Sequence, residues 1–254
     1  MGVLAGVVRD LVEEEASLAS VLGSLASDQW DRPTPSPGWA VRDQVAHLAF
    51  SEDLATLAAT DAEAFAARLV ELMSDLDSVA AGHVQQARDR SPAELLAWWE
   101  ASAAATVDAI SRTPDGERIP WITGPMSATS FTSARIMETW AHGHDIDTAV
   151  GVGRAPTGRL RHVADLGVRT RGFSFRNRGL PVPAAEPRVA LRGPGGSEWV
   201  WGPADADESV EGEALDFCLV VCRRRPVADT ALRVTGAAAA QWMSIAQCFA
   251  GPPS

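Results

Sequence analysis

The chain has 254 residues, 46% of them hydrophobic and 22% charged, which is enough for one good core or two modest domains and is not the composition of a disordered protein. A net charge of -11 excludes nucleic-acid binding that relies on a clustered positive surface. All 22 basic residues are arginine, which rules out Schiff-base, pyridoxal-phosphate and P-loop chemistry that needs a lysine; the joint absence of lysine and tyrosine also fits a GC-rich genome.

In chain order, Val3 to Ala26 has the spacing of an amphipathic helix, with Leu4, Val7, Leu11, Leu18 and Leu22 in the stripe and Glu13 to Glu15 mostly outside it. Asp31 to Gly38 packs Pro33, Pro35 and Pro37 before a glycine, which predicts an extended breaker ahead of Trp39. A second helix starts near Val41 and carries Val45, His47, Leu48 and Leu54, and a third helical stretch runs from Ala62 through the Gln85 region. Ser91, Pro92 and Glu94 form a capping box with proline at the first helical position, so a further helix runs through Trp98 and Ile110. After Thr113 to Gly116 and a loop with Pro120, Gly124 and Pro125 comes the helix bearing Glu138 and His142, closed by Gly151 and Gly153.

Long helices with short joins predict a four-helix up-down bundle over residues 1–154. From 155 to 254 the pattern changes: a helix near Leu160 to Thr170, a hairpin pattern in Arg188–Arg192 and Glu198–Trp201 around Gly193–Gly196, then helices over Glu213–Cys222 and Ala237–Cys248. The expected fold is therefore α+β and mainly α, a helical bundle followed by a smaller mixed α/β domain. Cys218, Cys222 and Cys248 make no secreted-type disulfide framework, and Cys218 and Cys222 read as small buried hydrophobes. No apolar run reaches the roughly 18 residues of a membrane span, and the N-terminus lacks a signal-like pattern, so a cytosolic protein with no membrane partner is expected.

Glu138 and His142 are spaced i,i+4, which places a carboxylate and an imidazole on one helix face about 6 Å apart along the axis. Adding His47 from another helix gives two histidines and one carboxylate, a set that leaves a catalytic metal an open position. Each also has an ordinary reading, as a hydrogen-bonded structural histidine or a surface glutamate. The apolar neighbours Val45, Leu48, Ile136, Met137, Trp140 and Ala141 favour partial burial, where a carboxylate needs a cation. Asp145 either orients a ligand histidine from behind or is a solvated acid at a helix end, and His144 falls off the shared face. Trp39, Trp121 and Trp140 are candidates for the pocket wall, with core packing the competing role.

The segment Pro35-Ser-Pro-Gly-Trp39-Ala-Val-Arg42-Asp43-Gln-Val-Ala-His47-Leu and, about ninety residues on, Met137-Glu138-Thr-Trp140-Ala-His142-Gly-His-Asp145 resemble the DinB-like superfamily, in its branch of mycothiol-dependent maleylpyruvate isomerases. Trp199-Val-Trp201-Gly-Pro, Val210-Glu-Gly212 and Gln247-Cys-Phe-Ala-Gly-Pro-Pro253 resemble a metal-binding subgroup of that branch. The resemblance implies a bundle binding a divalent ion, usually zinc, through His47, Glu138 and His142, with a small α/β domain covering the site. It further implies activation of a low-molecular-weight thiol such as mycothiol toward a small electrophilic substrate, in isomerisation or transfer. Trp39 and Trp140 are then expected beside the bound thiol, and Arg224, within the run Arg223 to Arg225, near the substrate; basicity at a helix C-terminus explains that run equally well. One departure is Ala40, where the family usually has a helix-capping hydroxyl; an alanine cap costs about 1 kcal/mol, and Asp43 still suits the positive helix end. Competing functions are a metal-water hydrolase or lyase, a ferrous oxygenase, and a metal- or small-molecule-binding protein without catalysis.

Overall fold

The computed structural model describes residues 2–74, 82, 85–114 and 116–251. The chain forms two compact units, Met1–Arg154 and Ala155–Ser254. The first holds helices α1 (Val3–Gly23), α2 (Val41–Thr60), α3 (Ala62–Ser74), α4 (Pro92–Ser111) and α5 (Ala128–Val150). A two-stranded hairpin, β1 (Arg118–Ile119) and β2 (Met126–Ser127), leads into α5. Much of the helical stretch expected beyond α3, at residues 75–81, 83 and 84, lies outside the described residues, as do Pro252 and Pro253.

Helices α1 and α2 each pack against both α4 and α5, so the four close into a bundle with α1 and α2 on opposite corners. One cluster of Leu18, Leu22, Val45, Leu48, Leu95, Trp99 and Ile146 fills the centre from all four helices. The start of α4 follows its sequence signal: Ser91 Oγ accepts the Glu94 N–H, and Glu94 Oε2 accepts the Ser91 N–H at 2.8 Å. At α2 only half of such a box exists, because Ala40 has no hydroxyl; Asp43 Oδ2 accepts the Ala40 N–H at 2.8 Å and holds the helix start.

Two local expectations change. The proline-rich breaker turns back on itself, with Pro33 bridged to Ala40 and the Thr34 N–H donating to Trp39 O at 2.8 Å, because Gly38 takes a left-handed φ of 80°. The acids of α1 do not all face outward. Glu14 is buried, 3.3 Å from Arg154, whose guanidinium also holds Asp147 at 2.7 Å. Arg154 crosses α5 at Gly143, where an added Cβ would meet its Nη2 at 2.3 Å.

The second unit contains α6 (Leu160–Arg169), α7 (Arg171–Arg176), α8 (Ala214–Val221) and α9 (Ala237–Ile245) with a four-stranded sheet. Its strands are β3 (Arg188–Arg192), β4 (Glu198–Trp201), β5 (Ser209–Glu213) and β6 (Arg233–Thr235), in the order β4-β3-β5-β6. The hairpin read from the sequence is the antiparallel β3–β4 pair, with Val189 opposite Trp201; β5 runs parallel to β3. Val189, Leu191, Trp199 and Val210 bury one face of the sheet, which is the alternation expected of strands with one covered side. The fold is thus α+β and mainly helical.

Candidate metal centre

His47 on α2 and Glu138 and His142 on α5 converge in the first unit, with one donor atom of each within 4.8 Å of the others. Donors arranged tetrahedrally at about 2.1 Å from an ion stand about 3.4 Å apart. The pair Glu138 Oε2 and His142 Nε2 already has that spacing, at 3.3 Å. The two imidazole rings lie 4.7 Å apart between centroids, so His47 needs only a small adjustment to join them.

The charge state suits a cation. Burial alone would push the Glu138 carboxyl up, but the hydrogen bond and charge of His142, with Arg135 and His47 nearby, outweigh it and hold the group at about 2. A half-buried carboxylate is therefore ionised at neutral pH beside two imidazoles.

A residue without a signal in the sequence orders the site. Gln44, one turn before His47 and fully buried, places its Oε1 against His142 Nδ1. Its Nε2 donates to Thr34 Oγ1 at 2.9 Å and to Asp145 Oδ2 at 3.5 Å, and these two acceptors fix which end of the amide faces the imidazole. An acceptor at Nδ1 keeps a proton there, so Nε2, whose N–H donates to Glu138 in this structure, is the nitrogen that gives up its proton to ligate an ion. Asp145 is buried at 1% exposure, so it is not a solvated acid; it acts on His142 through Gln44, and Ser36 Oγ donates to the same Oδ2 at 3.1 Å. The turned proline-rich loop is what delivers Thr34, Ser36 and Trp39 to this place.

Trp39 covers both imidazoles, its ring 5.2 Å from that of His47 and stacked 6.1 Å from that of His142. Trp140 points elsewhere on α5 and stacks on His144 at 5.9 Å. Trp121 stacks on Phe65 and carries the Arg135 guanidinium 4.8 Å over its ring, a core position. Beyond His47 on α2, the buried Glu52 lies 3.9 Å from the buried Arg135, which also donates to Ser51 Oγ at 2.6 Å. Burial raises the Glu52 carboxyl, with Arg135 opposing that rise. Arg224 belongs to the second unit, where its Nη1 donates to Cys222 O at 2.9 Å.

An α-helical bundle with a two-histidine, one-carboxylate cluster on facing helices defines a class of metal-site scaffold. Residues 11–147 match the model of the mycothiol maleylpyruvate isomerase N-terminal domain, and the chain belongs to that family. Two uncharacterized proteins of Mycobacterium tuberculosis, from strains CDC 1551 / Oshkosh and ATCC 25618 / H37Rv, are each 43% identical over 250 residues, covering 97% of this chain and 96% of theirs. Crystal structures of the mycothiol-dependent maleylpyruvate isomerase and of a histidine-to-alanine mutant of it superpose with TM-scores of 0.56 and 0.57. Both cover 85% of this chain and 88% of their own at 15% identity, a likeness that establishes the fold. Among the described residues no helix is long and apolar enough to cross a membrane.

Proposed function

We propose that this chain is a divalent-metal enzyme that activates a low-molecular-weight thiol of the mycothiol type for isomerisation or S-transfer on a small electrophilic substrate. The observation that carries the reading is the convergence of His47, Glu138 and His142 to within 4.8 Å in a chain of the maleylpyruvate isomerase family. Zinc is the ion the family resemblance implies. When bound, such an ion lowers the pKa of a coordinating thiol, so that the thiolate nucleophile is present at neutral pH.

The chain's own residues divide the remaining work. His47 and His142 supply neutral nitrogen donors, and Glu138 supplies the negative charge that offsets half of the ion's. Three protein donors would leave such an ion a position for the thiol sulfur. Gln44 holds His142 in the ligating tautomer, and Asp145 with Ser36 and Thr34 holds Gln44. Trp39 shields both imidazoles on one side and offers an apolar wall to the thiol. Arg224 is assigned to the anionic end of the substrate on the family resemblance alone. The thiolate adds to the activated double bond of the substrate and leaves an enolate; isomerisation follows when the adduct rotates about the new single bond and the enolate expels the thiolate, and transfer when the enolate instead takes up a proton from solvent.

Turnover of maleylpyruvate by protein purified without chelators, with and without mycothiol, tests the proposal. Thiol-dependent turnover that disappears together with the metal in His47→Ala is expected. Activity without thiol, or full metal content in His47→Ala, contradicts it.

A further inference from the structure

The three cysteines all lie buried in the second unit, but they are not equivalent. Cys218, in the middle of α8, donates its thiol to Leu160 O at 3.6 Å, and burial pushes that thiol well up, so it is an inert core side chain. Cys222 and Cys248 instead face each other. Their sulfur atoms are 3.5 Å apart although 26 residues separate them in the chain.

The backbone holds the two side by side. Cys222 caps α8, and the Cys248 N–H donates at 2.9 Å to the carbonyl of Val221, the residue just before Cys222. Cys248 sits on an irregular segment, residues 246–251, that follows α9. Only a few side-chain bonds hold this segment on the α7 side: Ser174 Oγ accepts the Gln247 N–H at 3.0 Å, and Asn177 Nδ2 donates to Gly251 O at 3.0 Å. A short segment of this kind opens locally at a lower cost than a packed helix. Cys248, 5% exposed against 0% for Cys222, is therefore the thiol that a reagent meets first.

We propose that Cys222 and Cys248 are a redox pair that a low-molecular-weight disulfide oxidises to an intramolecular disulfide. The Cys248 thiolate attacks one sulfur of the reagent, forming a mixed disulfide and releasing one thiolate; the Cys222 thiolate then attacks the Cys248 sulfur and expels the second. The reagent takes up two electrons and, with the two cysteine protons, leaves as two thiols. The 3.5 Å separation makes the second step intramolecular, so the mixed disulfide does not accumulate. The new bond closes a loop that contains α9 and fixes the irregular segment to the end of α8, and excess thiol reverses it. The pair shares no residue with the metal centre, so the failure of one proposal leaves the other standing.

The test uses the full chain with oxidised glutathione as the disulfide, followed by acid quenching, alkylation and peptide mass mapping without reductant. In native wild type the free thiols are expected to fall from three to one, with Cys222 linked to Cys248 and Cys218 still free, and dithiothreitol is expected to restore all three. Cys222→Ser, which keeps the side-chain size, is expected to stop at a glutathione adduct on Cys248. Cys248→Ser is expected to gain neither adduct nor cross-link. A wild-type chain that keeps all three thiols, stops at a glutathione adduct, or links through Cys218 or to a second chain overturns the proposal. So does a Cys222–Cys248 bond that forms only in urea, because the native juxtaposition would then contribute nothing, and so does a Cys248→Ser chain modified at Cys222.

Discussion

Replacing Gln44 with leucine removes the one acceptor that sets the His142 tautomer while keeping side-chain bulk. The structure concentrates the cost on the imidazole. Asp145 and Thr34 lose the Gln44 amide donor, but Asp145 keeps its bond from Ser36 and Thr34 Oγ1 its bond to Trp39 O, so the uncompensated loss falls on His142 Nδ1. An orphaned buried donor costs about 1–3 kcal/mol, and loss of such a supporting group lowers metal affinity about 10–100-fold, which is about 1.4–2.8 kcal/mol. The two routes agree, so zinc affinity measured by competition with a chromophoric chelator is expected to fall by that factor in Gln44→Leu. Gln44→Glu keeps an acceptor toward Nδ1 and is expected to retain most of the affinity. A Gln44→Leu affinity within about twofold of wild type would refute the tautomer argument.

Glu15→Gln tests the buried acid of α1. Its folded pKa of about 8 stands above the ordinary 4.5, so the native state binds the proton more tightly than the unfolded chain. Stability from this group is complete below about 4.5 and is lost as pH rises through about 8. Between pH 6 and 8.5 wild type should lose on the order of 2 kcal/mol relative to Glu15→Gln in urea unfolding, and parallel pH profiles would contradict the burial assigned to this carboxyl. Ala40→Ser adds the missing cap hydroxyl to α2 beside the Asp43 half-box and is expected to raise stability by about 1 kcal/mol without changing metal content. Ser91→Ala removes the corresponding hydroxyl at α4 and is expected to cost about 1 kcal/mol, read from the same urea titration, with zinc affinity unchanged.

Much of the scaffold was legible in the residues. The periodic stripe of α1, the Ser91–Glu94 box and the closing Gly151 each name a local cause that the structure repeats. The β3–β4 hairpin was legible because alternation and a glycine-rich turn are local signals too. The parallel β3–β5 pairing was not: Ser209-Val-Glu-Gly-Glu213 is short and polar, and its partner is chosen by a crossover that no window of sequence contains. Glu14 read as an outward acid because its partner, Arg154, lies 140 residues away. The spacing of Glu138 and His142 announced a shared face, and the apolar setting of His47 hinted at burial. Gln44 gave no such hint, since a glutamine one turn before a histidine is unremarkable until the fold brings His142 to its amide. For Asp145 the residues left two readings open, support of a ligand histidine or a solvated acid; it is buried and faces Gln44 and the proline-rich loop, a setting that only the fold creates.

Cobalt(II) substitution gives the most direct view of whether three side chains grip an ion and leave room for sulfur. With cobalt loaded in place of the native ion, adding mycothiol should produce a near-ultraviolet thiolate-to-cobalt charge-transfer band that saturates at one thiol per chain and is absent from His47→Ala. A spectrum that mycothiol leaves unchanged, or a band of equal strength in His47→Ala, would contradict the account.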